Sequence, residues 1–232
     1  QKALDAALAD GKSVMDGTST EDVTKVYAAL KAAIYNYRLS LASPEEPLEL
    51  TSNMLSPGFE DNSKGWVCNG FSPQSNDAFE LKEGTYYCEI WSGWGNVADG
   101  DIHQIVELPN GNYQLTVLAQ NIQESNKAIP QKGAYVYANN ARKELSLTGK
   151  YTLDFVVVDN QAKIGVNTIG CTGNKVSIDD FHIYYTGFDD DAQFAEFRQM
   201  IQEGEALLES PQHADSLAML AKAVEEAKAV TK

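Results

Sequence analysis

The sequence predicts a mainly β protein with flanking α. It reads as an antiparallel jelly-roll β-sandwich over residues 48–187, carried between helical hairpins at 1–47 and 188–232. Three observations predict this. The hydrophobic period changes from 3.6 to 2 near Leu48 and returns to 3.6 after Gly187; these periods mark one-sided helices and half-buried strands respectively. Turn residues punctuate the central stretch at short intervals, with no helical pattern between them. The two flanks share one spacing of apolar residues around a glycine, so they read as copies of a single unit.

In the first flank, Leu4, Leu8, Gly11 and Met15 line one helical face by a 4-3-4 spacing, and Asp16-Gly17-Thr18 supplies a turn. Ser19 with Asp22 three residues on resembles a capping box at the start of the next helix. Val23, Val26, Tyr27, Leu30, Ile34 and Tyr37 form its stripe, and Pro44 ends it because the residue before a proline avoids the helical region. Pro44-Glu45-Glu46-Pro47 reads as a linker. Strands are expected at 65–71, 78–82, 85–91, 101–107, 112–120, 133–139, 151–158, 162–167 and 176–185, with turns at Pro109-Asn110-Gly111 and Asp159-Asn160. Phe197, Ile201, Gly204 and Leu208 then repeat the first 4-3-4 spacing. Ser210-Pro211 reads as a cap with proline at the first helical position, before a last stripe of Leu217, Leu220, Ala221 and Val224. A lone two-helix hairpin rarely buries its stripe, so the hairpins either pack together or belong to a larger bundle. In both cases spacing and support are their expected role.

Composition narrows the function. Hydrophobic residues make up 43% and charged residues 22%, a balance that suits a globular chain with a real core. No stretch approaches the ~20 apolar residues of a membrane span, so membrane insertion is not expected. The net charge of −15 is spread over all three segments; it repels phosphate backbones and anionic lipids, which argues against nucleic-acid partners. The chain opens on Gln1-Lys2 already within a helical pattern, as a processed or partial chain would. Cys68, Cys88 and Cys171 lack metal-ligand spacing. Either Cys68 and Cys88 pair across neighbouring strands or all three are buried thiols.

No nucleophile elbow, phosphate loop or dinucleotide fingerprint is present, and His103, His182 and His213 sit beside no serine or cysteine nucleophile pattern. Two carboxylates suffice for glycoside hydrolysis, but 33 acidic residues make chance pairs inevitable. The aromatic cluster Tyr86-Tyr87-Cys88-Glu89-Ile90-Trp91-Ser92-Gly93-Trp94 says more. An indole or phenol face complements the C–H face of a sugar ring, while carboxylates and amides bond its hydroxyls. Alternation puts Tyr87, Glu89 and Trp91 on one face and Tyr86, Cys88 and Ile90 on the other. Trp94 falls in a glycine-flanked loop, where exposure and burial are balanced; for Trp91 the burial that tryptophan usually finds is the stronger reading. Trp66 reads as core. Tyr135 and Tyr137 share a face, with Asn121 and Asn139 at strand ends, as a second polar-aromatic surface. Trp94, Trp91, Tyr87, Glu89, Tyr137 and Asn121 are thus the expected ligand residues.

Asn53-Met54-Leu55-Ser56-Pro57-Gly58-Phe59-Glu60 followed by Gly65-Trp66 resembles the opening of galactose-binding-like carbohydrate-binding modules. Gln104-Ile105-Val106 with Leu108-Pro109-Asn110-Gly111-Asn112-Tyr113, and the closing Val176-Ser177-Ile178-Asp179-Asp180-Phe181-His182-Ile183, resemble them too. The matches run in order over about residues 53–186. The resemblance implies a non-catalytic module of a secreted, periplasmic or cell-surface protein. Its partner would be a neutral oligosaccharide or polysaccharide, together with other domains of a larger parent chain. The resemblance also implies a structural calcium ion, held by Glu60 and one of Asp179 or Asp180 with backbone carbonyls. Alternation gives Asp180 the face of Val176 and Ile178, so a carboxylate would point inward unless the strand bulges. Hydrogen bonds to a loop would satisfy such a group equally. The competing expectations are a structural or protein-interaction spacer without a glycan ligand and, behind it, a hydrolase.

Overall fold

The protein is described from a computed structural model covering residues 1–208 and 214–230. The expected cap at Ser210-Pro211, and His213, lie outside the described residues, as does the side chain of Leu217. Helix α1 (Lys2–Met15) packs against α2 (Val23–Leu41), and α3 (Asp190–Leu208) against α4 (Ala214–Val230). Glycine sits at both crossings. A Cβ at Gly11 would meet Leu30 at 3.6 Å, and one at Gly204 would meet Val224 at 2.8 Å. Leu30 and Val224 are the residues that the repeated spacing aligns, so the two hairpins cross at the same place. The second helix starts later than the capping box implied: Asp22 is the cap, its carboxylate accepting the Thr24 N–H at 2.8 Å, while Ser19 accepts only from Glu21. A carboxylate at the cap also suits the positive helix end.

Between the hairpins lie two antiparallel sheets. The first is ordered β3 (Ser72–Gln74), β4 (Tyr87–Trp91), β11 (Lys175–Gly187), β6 (Gly111–Ile122), β9 (Gly149–Val157), and β1 (Leu48–Glu49) pairs with the far end of β11. The second is ordered β2 (Val67–Asn69), β5 (Asp101–Glu107), β10 (Gln161–Asn167), β7 (Ala134–Ala138), β8 (Ala141–Leu145). Their inner faces close one core in which Leu115, Val136, Ile164, Ile178 and Ile183 are fully or almost fully buried. Phe59, Trp66 and Phe181 pack together at one end with ring centroids 5.0–6.3 Å apart, and the Trp66 indole N–H donates to the Ser56 carbonyl. Tyr35, Leu39 and Ala42 of the first hairpin lean on the same core.

Three sequence expectations change. Residues 78–82 form a turn, because Phe79 folds back onto Tyr87 (centroids 5.6 Å) and the Lys82 ammonium caps the carbonyls of Ser75 and Asn76. Strand β3 went unread because Pro73 discourages strand assignment; proline is tolerated on an edge. Strand β8, Ala-Arg-Lys-Glu-Leu, is too polar to register as a strand, and is the charged edge that guards a sheet against foreign pairing. The closing strand does bulge: its pairing with β6 slips between Asp179 and His182, and Asp180 takes φ +51°. The slip returns Phe181 and Ile183 to the core and leaves Asp179, not Asp180, as the fully buried carboxylate.

Candidate functional site

The aromatic segment ends β4 and enters the loop that crosses to the second sheet. Cys88 and Ile90 point into the core, and Tyr87, Glu89 and Trp91 take the other face, as alternation requires. Antiparallel register sets Trp91 opposite Lys175 and Glu89 opposite Ser177. The Trp91 indole N–H donates to Glu124 at 2.8 Å, and the Lys175 ammonium lies 2.5 Å from the other oxygen of the same carboxylate. These two partners hold the Glu124 carboxyl below its usual range, the Lys175 bond being the larger cause. Trp91 is therefore pinned by its edge while remaining 55% exposed.

Trp94 is 95% exposed. Its loop is nevertheless tightly built. The Ser92 hydroxyl donates to the Trp94 carbonyl at 2.8 Å and accepts its N–H, while the Ser92 N–H donates to the Asn174 carbonyl. Val97 N–H donates to Gly173, and Asn174 also accepts the Glu124 N–H through its side chain. Both ends of the loop are thus tied to residues 173–174, and two indoles stand on a braced ledge. Glu124, Asn174 and Lys175 were not foreseen. The β4–β11 and β6–β11 registers bring them to the tryptophans, and no local pattern announces pairings between segments so distant in sequence.

Tyr87, Glu89 and Asn121 are buried. The Tyr87 hydroxyl lies 2.7 Å from Asn76 and 3.1 Å from Glu89, Glu89 also accepts from Ser177, and Ser177 bonds to Gln120. Asn121 donates to the Leu145 carbonyl and contacts the Cys171 thiol. These three residues hold the ledge and the adjoining strands; they offer no surface to a ligand in this structure. Cys68 and Cys88 lie in different sheets and are free, so the considered disulfide is not formed.

Tyr137 lies on the outer face of the second sheet. It crosses β10 over Gly165 to donate its hydroxyl to Asp101 at 2.7 Å, and Asp101 also holds His103 Nδ1 at 2.6 Å. Burial, then the Asp101 bond, pushes the Tyr137 phenol up, so it remains a donor. Lys163 sits over the Tyr137 ring and Arg142 over that of Tyr135. Both rings are therefore already covered by cations, unlike the indoles of the ledge.

Glu60, Asp179 and Asp180 divide differently. Asp179 accepts the N–H groups of Glu83 and Asp180, each at 2.8 Å, and Glu60 accepts those of Thr85 and Tyr86. Asp180 turns to His182, whose other ring nitrogen meets Glu49. Burial pushes the Asp179 carboxyl up to about 7, with the negative neighbours Asp180 and Glu60 adding to the rise. Among the described residues no group of three or more His, Cys, Asp or Glu side chains is arranged to hold a metal. A cation here would rest on two carboxylates and backbone carbonyls. Asp179 and Glu60 offer the hard oxygens such an ion takes, each already accepting two backbone N–H groups.

No family model matches the chain, and no curated protein matches it. Solved structures do. The carbohydrate-binding module TmCBM61, solved with β-1,4-galactotriose, is 19% identical with a TM-score of 0.46, covering 57% of this chain and 97% of its own. The CBM22-1 xylan-binding domain of Paenibacillus barcinonensis Xyn10C is 13% identical with a TM-score of 0.42, covering 58% and 95%. A cyclase from Fischerella sp. TAU is 12% identical with a TM-score of 0.46, covering 62% and 99%.

Proposed function

We propose that this chain is a non-catalytic glycan-binding module of a secreted or cell-surface protein, with Trp94 and Trp91 as the sugar-contacting ledge. The observation that carries the reading is the bare Trp94 indole on a loop braced at both ends. Leaving a tryptophan in water forgoes about 2–3 kcal/mol of burial, and the bracing lowers the entropy lost when a ligand stacks on it. Trp91 adds a second ring whose N–H is already spent on Glu124, so it offers its face. Tyr87 and Glu89 position the strand beneath. The net charge of −15 favours a neutral glycan over a polyanionic one.

Affinity electrophoresis through a panel of neutral polysaccharides tests the reading. Retention of the wild-type chain by at least one polymer, lost in Trp94→Ala and reduced in Trp91→Ala, is the expected result. No retention on any polymer, or retention indifferent to both substitutions, rejects it.

Glu60 and Asp179, with backbone carbonyls, would hold a structural calcium ion that clamps the loops at 56–62 and 83–86 to the bulge of β11. The buried carboxylate of Asp179 supports this role. Calcium should raise the melting temperature of the wild type and not that of Asp179→Asn. An unchanged wild type in millimolar calcium would leave these carboxylates as loop clamps alone.

A further inference from the structure

The first helical hairpin leaves most of its apolar stripe in water, and the second exposes large apolar residues beside its stripe. In the first, only Ala7 and Val26 are buried, and the groove between α1 and α2 has a volume of about 340 Å³ with an almost wholly apolar lining. Met15 is 84% and Tyr27 68% exposed on it. The second hairpin buries Ile201, Gly204 and Val224 and exposes Leu207 and Met219.

We propose that the α1–α2 hairpin of one copy of this chain docks on the α3–α4 hairpin of a second copy, completing a four-helix bundle and joining chains head to tail. Two hairpins of one design, each crossing at a glycine, suit a shared bundle core. Charge disfavours one of the two like pairs. Residues 2–41 carry five Lys and Arg against five Asp and Glu, whereas 190–230 carry three against nine. Pairing two second hairpins would bring two strongly acidic surfaces together. The first hairpin offers Lys12, Lys31 and Arg38 along its grooves, and none of these forms an ion pair among the described residues. The two faces also differ in side-chain size. Where the first hairpin projects the exposed Tyr27, the aligned position of the second carries the small, half-buried Ala221, so the two faces are not duplicates and each can be altered alone. Because the contact is between unlike surfaces, each chain keeps one free hairpin of each kind after the first contact, so wild-type chains associate further with concentration, as rings or open strings.

Sedimentation velocity of the full chain between micromolar and hundreds of micromolar tests this, with circular dichroism confirming unchanged helix content. Wild type should grow in mass with concentration to dimers and beyond. Tyr27→Glu and Ala221→Lys should each be monomeric alone, yet a one-to-one mixture should form a capped dimer through the two intact hairpins, doubling the mass and stopping there. A monomeric wild type overturns the proposal. So does Ala221→Lys dimerising alone, which would mean that the first hairpin pairs with itself.

Discussion

At the scale of single residues, Asp179 is the carboxylate that burial perturbs most. Its folded carboxyl titrates near 7 against an ordinary value of 3.8. Between about pH 4 and 7 the folded chain therefore keeps a proton that the unfolded chain has released, and stability falls as pH rises through that window. Three units correspond to about 4 kcal/mol, an upper figure for a single buried group. Chemical denaturation in chelator at pH 4.5 and 7.5 should show greater stability at the lower pH, and Asp179→Asn should flatten the difference. A wild type equally stable at both values contradicts the assignment. Gly165 is fixed by a different constraint. A Cβ there would lie 2.2 Å from the Ile102 carbonyl and 2.8 Å from the Tyr137 hydroxyl. Gly165→Ala should cost about 3 kcal/mol by overpacking against backbone that cannot yield, read as a lower urea midpoint with unchanged slope.

At the scale of elements, the paired hairpin glycines give a test of local packing. Gly11 has ordinary room for a methyl beside Leu30, while Gly204 does not beside Val224. Gly11→Ala should raise stability by about 0.5–1 kcal/mol through helix propensity; Gly204→Ala should give no gain or a loss, both read by thermal denaturation. The helices and most strands were legible because apolar period is a local signal, and Leu4-Leu8-Gly11-Met15 or Tyr113-Leu115-Val117 state it plainly. Strand β3 was not, since Pro73 is acceptable only on an edge and sequence does not say which strand is an edge. Strand β8 escaped because its charges are edge protection. The turn at 78–82 looks extended until Phe79 is seen covering Tyr87. Of the site, the exposed tryptophans were legible as types in a glycine-flanked loop. Their anchors, Glu124, Asn174 and Lys175, come from register between distant strands. Alternation assigned Tyr87 and Glu89 to the face of Trp91 correctly, but that face is roofed by the segment around Phe79, and only tertiary structure shows the roof.

At the scale of the molecule, one core carries two kinds of surface. The sandwich holds a polar, braced exterior with a bare pair of indoles at one end; the hairpins hold apolar grooves suited to other helices. A net charge of −15 disfavours anionic polymers at both. On the two proposals made above, the sandwich would grip a neutral chain while the hairpins join one copy to the next. The glycan-binding reading turns on Trp94. Isothermal titration of the wild type and Trp94→Ala, with an oligosaccharide of the polymer that retains the wild type, tests it most directly. Truncating a central stacking tryptophan costs about 2 kcal/mol, so Kd should rise roughly 30-fold with the fold intact. Equal affinities for the two proteins would contradict it.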